Sequence, residues 1–390
     1  AILWNDTRSH AEAAALDADP QFRKITGNIV FPGFTAPKAN WLRVNEPEIF
    51  SRVRRVLLPK DYLRLWLTGE HVSEMSDAAG TSWLDTENRR WSGELLAATG
   101  LEEKHMPRLV EGTEPSAILR TDLAAQWSMG ENVLVAGGAG DNAASACGMG
   151  TVAAGSAFLS LGTSGVLFAA NDSYRPNAES AVHTFCHALP GTWHQMGVIL
   201  SATDSLNWLA GICSQSAAKL TDALGQSLKK PGTARFLPYL SGERTPHNDA
   251  RIRGVFCGLE HETGTAGLTQ AVLEGVAFAF RDCQEALRQA GTELHAVTAI
   301  GGGSRSRYWL ELMATVLRIP VEKPADGDFG AAFGAARIGL IAAEGADPFS
   351  ILTPPATEYV VEPDTSLSSA FEDAYCNFKE TYSALRPLSA

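Results

Sequence analysis

The chain is short of paired cysteines, basic charge and long apolar runs, and each shortage excludes something. Its six cysteines, Cys147, Cys186, Cys213, Cys257, Cys283 and Cys376, are scattered, with no CxxC pair and no short disulfide framework. That pattern fits a reducing, cytoplasmic compartment. No apolar run reaches the ~18 residues needed to span a bilayer, so no membrane partner is expected. Lys and Arg number 32 against 44 Asp and Glu, a formal net charge of −12. Nucleic acid, which is gripped through clustered basic side chains, is therefore not an expected partner either. No Walker pattern GxxxxGK[ST], no full GxGxxG spacing and no GxSxG elbow occurs, which argues against a P-loop, a dinucleotide site and a serine hydrolase. A starting Met, a signal peptide and a targeting segment are also missing. The apolar opening Ala1-Ile2-Leu3-Trp4 reads as the interior of a domain, so the first domain is expected to be N-terminally truncated.

What is present is an alternation of strands and helices. At 390 residues the chain exceeds what one core usually supports, so two domains are expected. A strand-like segment and then a helix opened by Pro59-Lys60-Asp61 are expected over Val53–Leu67, followed by a loop at Asp77–Gly80. A short β run, Val133–Ala136, enters Gly137-Gly138-Ala139-Gly140-Asp141, and the small residues of Asn142–Met149 predict a closely packed helix. Strand pairs dominate from Gly155 to Gly197. Helices are predicted at Ser201–Cys213, Leu268–Gln289, Gly330–Ala343 and Ser366–Leu385, with strands at Arg235–Leu240, Ala296–Ile300 and Val321–Lys323 and a loop at Pro324–Phe329. The class is α/β. The division expected is 1–150, 151–365 and a C-terminal helix in 366–390 that packs back on the first domain.

Three short segments carry chemistry. Gly162-Thr163-Ser164-Gly165 lies between two apolar runs and predicts a hairpin whose turn is either an ordinary β-turn or a nest of amides and hydroxyls that wraps a phosphate. Gly301-Gly302-Gly303-Ser304 follows a strand and opens a helix, so it is either a tight turn or an anion cradle at a helix N-terminus. Arg305 and Arg307 beyond it are solvated charges or nucleotide contacts. Asp141 ends a glycine-rich turn; it is a helix cap, or a carboxylate that accepts a proton from an attacking hydroxyl and helps hold Mg²⁺, or both. His183, His187 and His194 sit in strand-like alternation without a completing ligand set and are read as strand histidines rather than a zinc site.

Trp4-Asn5-Asp6-Thr7-Arg8, Gly33-Phe34-Thr35-Ala36-Pro37-Lys38 and Leu58-Pro59-Lys60-Asp61-Tyr62-Leu63 resemble the FGGY carbohydrate kinases. So do Gly140-Asp141-Asn142, Ser160–Gly165 and Gly254-Val255-Phe256-Cys257-Gly258-Leu259, and Leu237-Pro238-Tyr239-Leu240-Ser241-Gly242-Glu243-Arg244-Thr245-Pro246-His247 resembles the xylulose kinase branch. The resemblance implies two actin-like, ribonuclease-H-like domains flanking a cleft, the first sugar-binding and the second nucleotide-binding. It implies ATP as co-substrate, Mg²⁺, and transfer of the γ-phosphoryl group to D-xylulose in pentose catabolism. Position by position it implies Asp141 as base, Asn142 and Trp4 at the sugar, and Gly162, Thr163, Ser164, Asn207, Gly302, Gly303, Ser304 and Arg307 at the nucleotide. Ala39, Val44 and Gly267 depart from the family's usual residues. The family's first Asp-x-Gly-Thr/Ser phosphate hairpin and its Met-His sugar contact have no counterpart in the chain. A sheet edge left open in the first domain would favour association, so a homodimer is expected. Another FGGY sugar (ribulose, gluconate, glycerol) and a non-catalytic sugar- or nucleotide-binding protein are the competing readings.

Overall fold

In this computed structural model the structure describes residues 2–225, 227–325 and 330–389. The predicted loop at Pro324–Phe329 falls largely outside the described residues.

The first lobe is built from helices and short two-stranded ladders. Helix α1 (Pro59–Thr68) starts with proline at its first position and stops at Gly69, whose φ of 83° supplies the left-handed residue that closes many helices. The expected strand before it does not form; residues 53–58 are irregular. Val72–Glu74 pairs in parallel with Arg108–Val110, and Pro115–Ile118 pairs antiparallel with Leu134–Ala136. The expected loop at Asp77–Gly80 is helical instead. Glu74 accepts from the backbone N–H groups of Ser76 and Asp77 and so caps the turn Met75–Ala78, which runs on into Ala79–Thr81. A capping glutamate at this position is outside the usual Ser/Thr/Asp/Asn signal, which is why the turn was not legible.

Helix α2 (Asp141–Met149) ends the lobe, between Gly140 in extended conformation and Gly150 at φ 68°.

The second lobe holds a seven-stranded sheet. Its strands are β1 (Ala157–Leu161), β2 (Gly165–Asn171), β3 (His183–Cys186), β4 (Trp193–Ile199), β5 (Val297–Ile300), β6 (Val321–Pro324) and β7 (Thr357–Val361), in the spatial order β7-β6-β5-β1-β2-β4-β3. β4, β2 and β1 are antiparallel neighbours, whereas β1, β5 and β6 run parallel. The 3-2-1-4-5 arrangement of β4-β2-β1-β5-β6 is that of a ribonuclease-H-like domain. Between them lie α3 (Thr203–Ile212), α4 (Thr265–Gln289), α5 (Arg307–Leu317) and α6 (Ala331–Glu344), with α7 (Ser368–Leu385) closing the chain.

Period-two alternation divides the sheet into two faces. Leu159, Leu161, Leu167, Ala169, Ile199 and Ala299 point into the main core with α4, α5 and α7. Phe158, Phe168 and Met196 point the other way, with Val166, Val198 and Ile300 at the margin, and receive Ala146 of α2. The second face is therefore the one turned toward the first lobe.

Helix α7 does not pack back on the first lobe. Phe371, Ala374, Tyr375, Phe378 and Tyr382 are buried in the second-lobe core, and the Tyr375 hydroxyl donates to Asp282 of α4 at 2.6 Å. Its amphipathic stripe was visible in the sequence, but a stripe does not name its partner.

The lobes meet along several segments; Arg89, for example, donates to the Thr192 and Leu189 carbonyls. Asn28 exchanges two hydrogen bonds of 2.9 Å with the backbone of Thr184 on the edge strand β3. More intimately, α6 crosses α2: a Cβ on Gly334 would lie 1.7 Å from the Ala144 carbonyl oxygen, so only glycine admits the crossing. Among the described residues no helix is long and apolar enough to cross a membrane.

Candidate active site

The two glycine segments are adjacent because their strands are. β1 and β5 pair in parallel, with Ser160 opposite Ile300, so both chains leave the sheet at the same end. The first segment closes a hairpin in which Leu161 faces Gly165. Its carbonyls are claimed by the start of α3: the backbone N–H and hydroxyl of Thr203 donate to the Gly162 oxygen at 2.9 and 2.8 Å, and Ala202 N–H donates to Thr163 at 2.8 Å. Thr163 and Ser164 remain exposed. Asn207 stands one turn further along α3, also exposed, on the face that begins at Thr203.

Gly301 turns at φ 87°, and a Cβ there would meet the Leu161 oxygen at 2.7 Å and the Gly162 nitrogen at 3.1 Å. The second segment thus lies against the first, backbone to backbone. Gly302 has open space where a side chain would be, as a ligand-facing glycine should. Gly303, in contrast, is buried against Leu161, Trp309 and Thr203, and reads as a packing residue. Ser304 is 4% exposed and donates its hydroxyl to the Gly301 carbonyl at 2.8 Å, which staples the turn rather than presenting the group outward. Arg307 pairs with Glu311 at 3.1 Å and lies over the Tyr359 ring at 5.4 Å, toward β7 and its own helix. An i,i+4 partner of this kind was readable from the spacing.

Replacing Gly301 with alanine combines a left-handed backbone penalty of ~1–2 kcal/mol with this close contact. A nucleotide held on these two segments, as the resemblance implies, is expected to bind at least about tenfold more weakly, which calorimetric titration of ATP would show.

On the first lobe, Asp141 is the first helical residue of α2, and the cap position belongs to Gly140. Its Oδ1 accepts from the backbone and side-chain nitrogens of Asn142 at 2.8 and 3.1 Å. The carboxylate is exposed, and among the described residues Oδ2 has no protein partner. A polar group fixed through one oxygen and open at the other suits proton transfer better than capping. Since Ala146 of the same helix packs with Phe158, Phe168 and Ile300, α2 lies on the sheet face beside the strands that carry both glycine segments. Trp4 is 80% exposed, and among the described residues its indole makes no ring contact or hydrogen bond; only its backbone is close-packed, over Gly33.

A charged cluster lies behind the turn that carries Asp141. Lys60 of α1 reaches Asp61 at 2.8 Å, Glu74 at 3.3 Å and Asp77 at 3.4 Å. Burial pulls the Lys60 ammonium down, but Glu74, Asp77 and Asp61 outweigh it and hold it above its ordinary range. Burial, then the negative charge of Glu74, pushes the Asp77 carboxyl up to about 6 against the opposing pull of Lys60. Asp77 borders Gly140, where a Cβ would lie 3.5 Å from its own. The one available signal was Lys60, Asp61 and Arg64 clustered on a single turn of helix.

His183, His187 and His194 are core residues. His194 stacks on Phe168, His183 lies by Phe31 and Phe34, and burial depresses His183 to about 3 and His187 to about 4. Among the described residues no three His, Cys, Asp or Glu are grouped to hold a metal ion.

The family model for the N-terminal domain of FGGY carbohydrate kinases matches residues 1–148, and that for the C-terminal domain matches residues 157–343. The chain is 47% identical to the xylulose kinase of Escherichia coli (strain K12) over all of its own length and 81% of that protein's. A crystal structure described as a "xyloylose kinase" from Brucella ovis superposes with a TM-score of 0.97 at 66% identity, over 99% of this chain and 80% of the other. A gluconate kinase from Lactobacillus acidophilus superposes with a TM-score of 0.90 at 23% identity, over 98% of this chain and 79% of the other, and at that identity shares the fold alone. The chain belongs to the FGGY family of carbohydrate kinases and is an ATP-dependent sugar kinase.

Proposed function

We propose that the sugar is D-xylulose, that the product is D-xylulose 5-phosphate made in pentose catabolism, and that Asp141 is the general base. The observation that carries the reading is the singly anchored, exposed carboxylate on a helix laid over the strands that end in both glycine segments. The naming of the relatives at 47% and 66% identity supports the choice of sugar.

In this reading residues 1–150 hold the sugar and residues 151–365 the nucleotide. Asp141 accepts the proton of the 5-hydroxyl as its oxygen bonds to the γ-phosphorus and the bond to the β,γ-bridging oxygen breaks, releasing ADP. A sugar hydroxyl is a weak acid, so the proton moves late, and positioning supplies much of the acceleration. Asn142 fixes the carboxylate's rotation through its two bonds to Oδ1. Trp4 offers a free aromatic face to the sugar. Gly162, Thr163 and Ser164 hold phosphate oxygens, with Gly302 and Asn207 nearer the rest of the nucleotide. Mg²⁺ bound with ATP would neutralise phosphate charge, and such an ion usually needs only one or two protein carboxylates, of which Asp141 would be one.

An ADP-release assay with D-xylulose, D-ribulose, D-gluconate and glycerol tests the assignment. D-Xylulose is expected to have a kcat/KM at least about tenfold above the others. Preference for another of the four changes the sugar, and binding without ADP release from any of them favours a non-catalytic protein.

A further inference from the structure

A glycine-rich turn is a poor mount for a base. Glycine has the widest conformational freedom of any residue, yet Gly137-Gly138-Ala139-Gly140 leads directly into Asp141. A displacement of 1 Å at a reacting group can cost about 10²-fold in rate. Something outside the turn must hold it.

The charged cluster does so at both ends. The Ser76 hydroxyl accepts from the Gly140 N–H at 2.9 Å and donates to Glu74 Oε2 at 2.8 Å, which leaves it one orientation. Glu74 is fully buried and faces Lys60 with its other oxygen. At the far end of the turn the Arg64 guanidinium, one helical turn along α1 from Lys60, donates to the Gly137 carbonyl. Removing one member of a buried set of charges leaves the rest uncompensated, so such a set holds a single arrangement. We infer that Lys60 and Ser76 are positioning residues for phosphoryl transfer, acting through Glu74 and the Gly140 backbone to fix where the Asp141 carboxylate stands. This rests on Asp141 being the base.

The test uses the full chain with D-xylulose and ATP. Ser76→Ala keeps the fold of the short turn, since Glu74 still caps it through two backbone N–H groups. Its kcat is expected to fall about tenfold, with both KM values within about twofold, because the lost bond orients the base and touches neither substrate. In an Asp141→Asn background the same substitution should add no further loss, read by single-turnover transfer from labelled ATP so that slow reactions remain visible. An unchanged kcat, a loss confined to KM, or a full tenfold loss persisting in the Asp141→Asn background overturns the inference. If Asp141→Asn alone turns over like the parent, the base assignment falls instead, and the two failures are thereby distinct. Should Ser76→Ala not fold, Lys60→Arg and Lys60→Met replace it: the arginine variant is expected to keep most of kcat and the methionine variant to lose it, and equal behaviour of the two contradicts the positioning role.

Discussion

Asp141→Asn is expected to lower kcat by roughly 10²–10⁴-fold, the range associated with losing a general acid or base, while the affinity for ATP stays within about threefold. The substitution is conservative in shape. An amide oxygen can still accept from the backbone and side chain of Asn142, as Oδ1 does. The residue is exposed and supports no core contact, so the fold should be unaffected. ATP affinity is spared because the glycine segments belong to other strands and take their shape from α3 and from each other. Steady-state kinetics with D-xylulose, paired with calorimetric titration of ATP, checks both halves. Retained turnover removes Asp141 from the chemistry, and lost ATP binding would move its role from base to holding the nucleotide with its Mg²⁺.

Gly334→Val is expected to be the most damaging single change to the frame. Its Cβ would sit 1.7 Å from the Ala144 oxygen and near the Gly148 nitrogen, which are backbone atoms that cannot rotate away. Overpacking usually costs about 1–3 kcal/mol, and a clash with helix backbone belongs at or above the top of that range. A fall in Tm of at least about 6 °C is expected. Activity should drop further than stability alone explains, because the helix displaced is the one that carries Asp141, three residues before Ala144. Gly339→Ala on the same helix meets nothing within 4 Å and serves as the control; alanine there should leave Tm unchanged or raise it, since glycine in a helix interior costs ~1 kcal/mol against alanine. Scanning calorimetry of the two variants decides it. Equal Tm values would contradict a close backbone crossing at Gly334.

What could be read in advance was local. A glycine-hydroxyl turn between two apolar runs names its own hairpin, and Gly162–Gly165 closes one. Strand, glycine turn and amphipathic helix follow one another within 22 residues at 296–317, and the segment folds so. What stayed hidden depends on distant partners. Ser304 reads as a nucleotide contact until its hydroxyl is seen to close its own turn. Gly303 and Gly302 are indistinguishable as letters, yet one fills a packed interior and the other faces open space. The stripe on α7 fits either lobe on paper; the buried Asp282 and the apolar residues of α4 select the second. Lys60 sits in the quoted motif, but its meaning lies with Glu74 and Asp77, and through Ser76 with Gly140, eighty residues on.

The most direct measurement is a crystal structure with D-xylulose and a non-hydrolysable ATP analogue bound together. An Asp141 oxygen within about 2.6–3.2 Å of the 5-hydroxyl, and the terminal phosphate against the Gly162–Ser164 turn, is the result this account predicts. An acceptor hydroxyl out of reach of Asp141 even through one water, or a triphosphate bound away from both glycine turns, would contradict it.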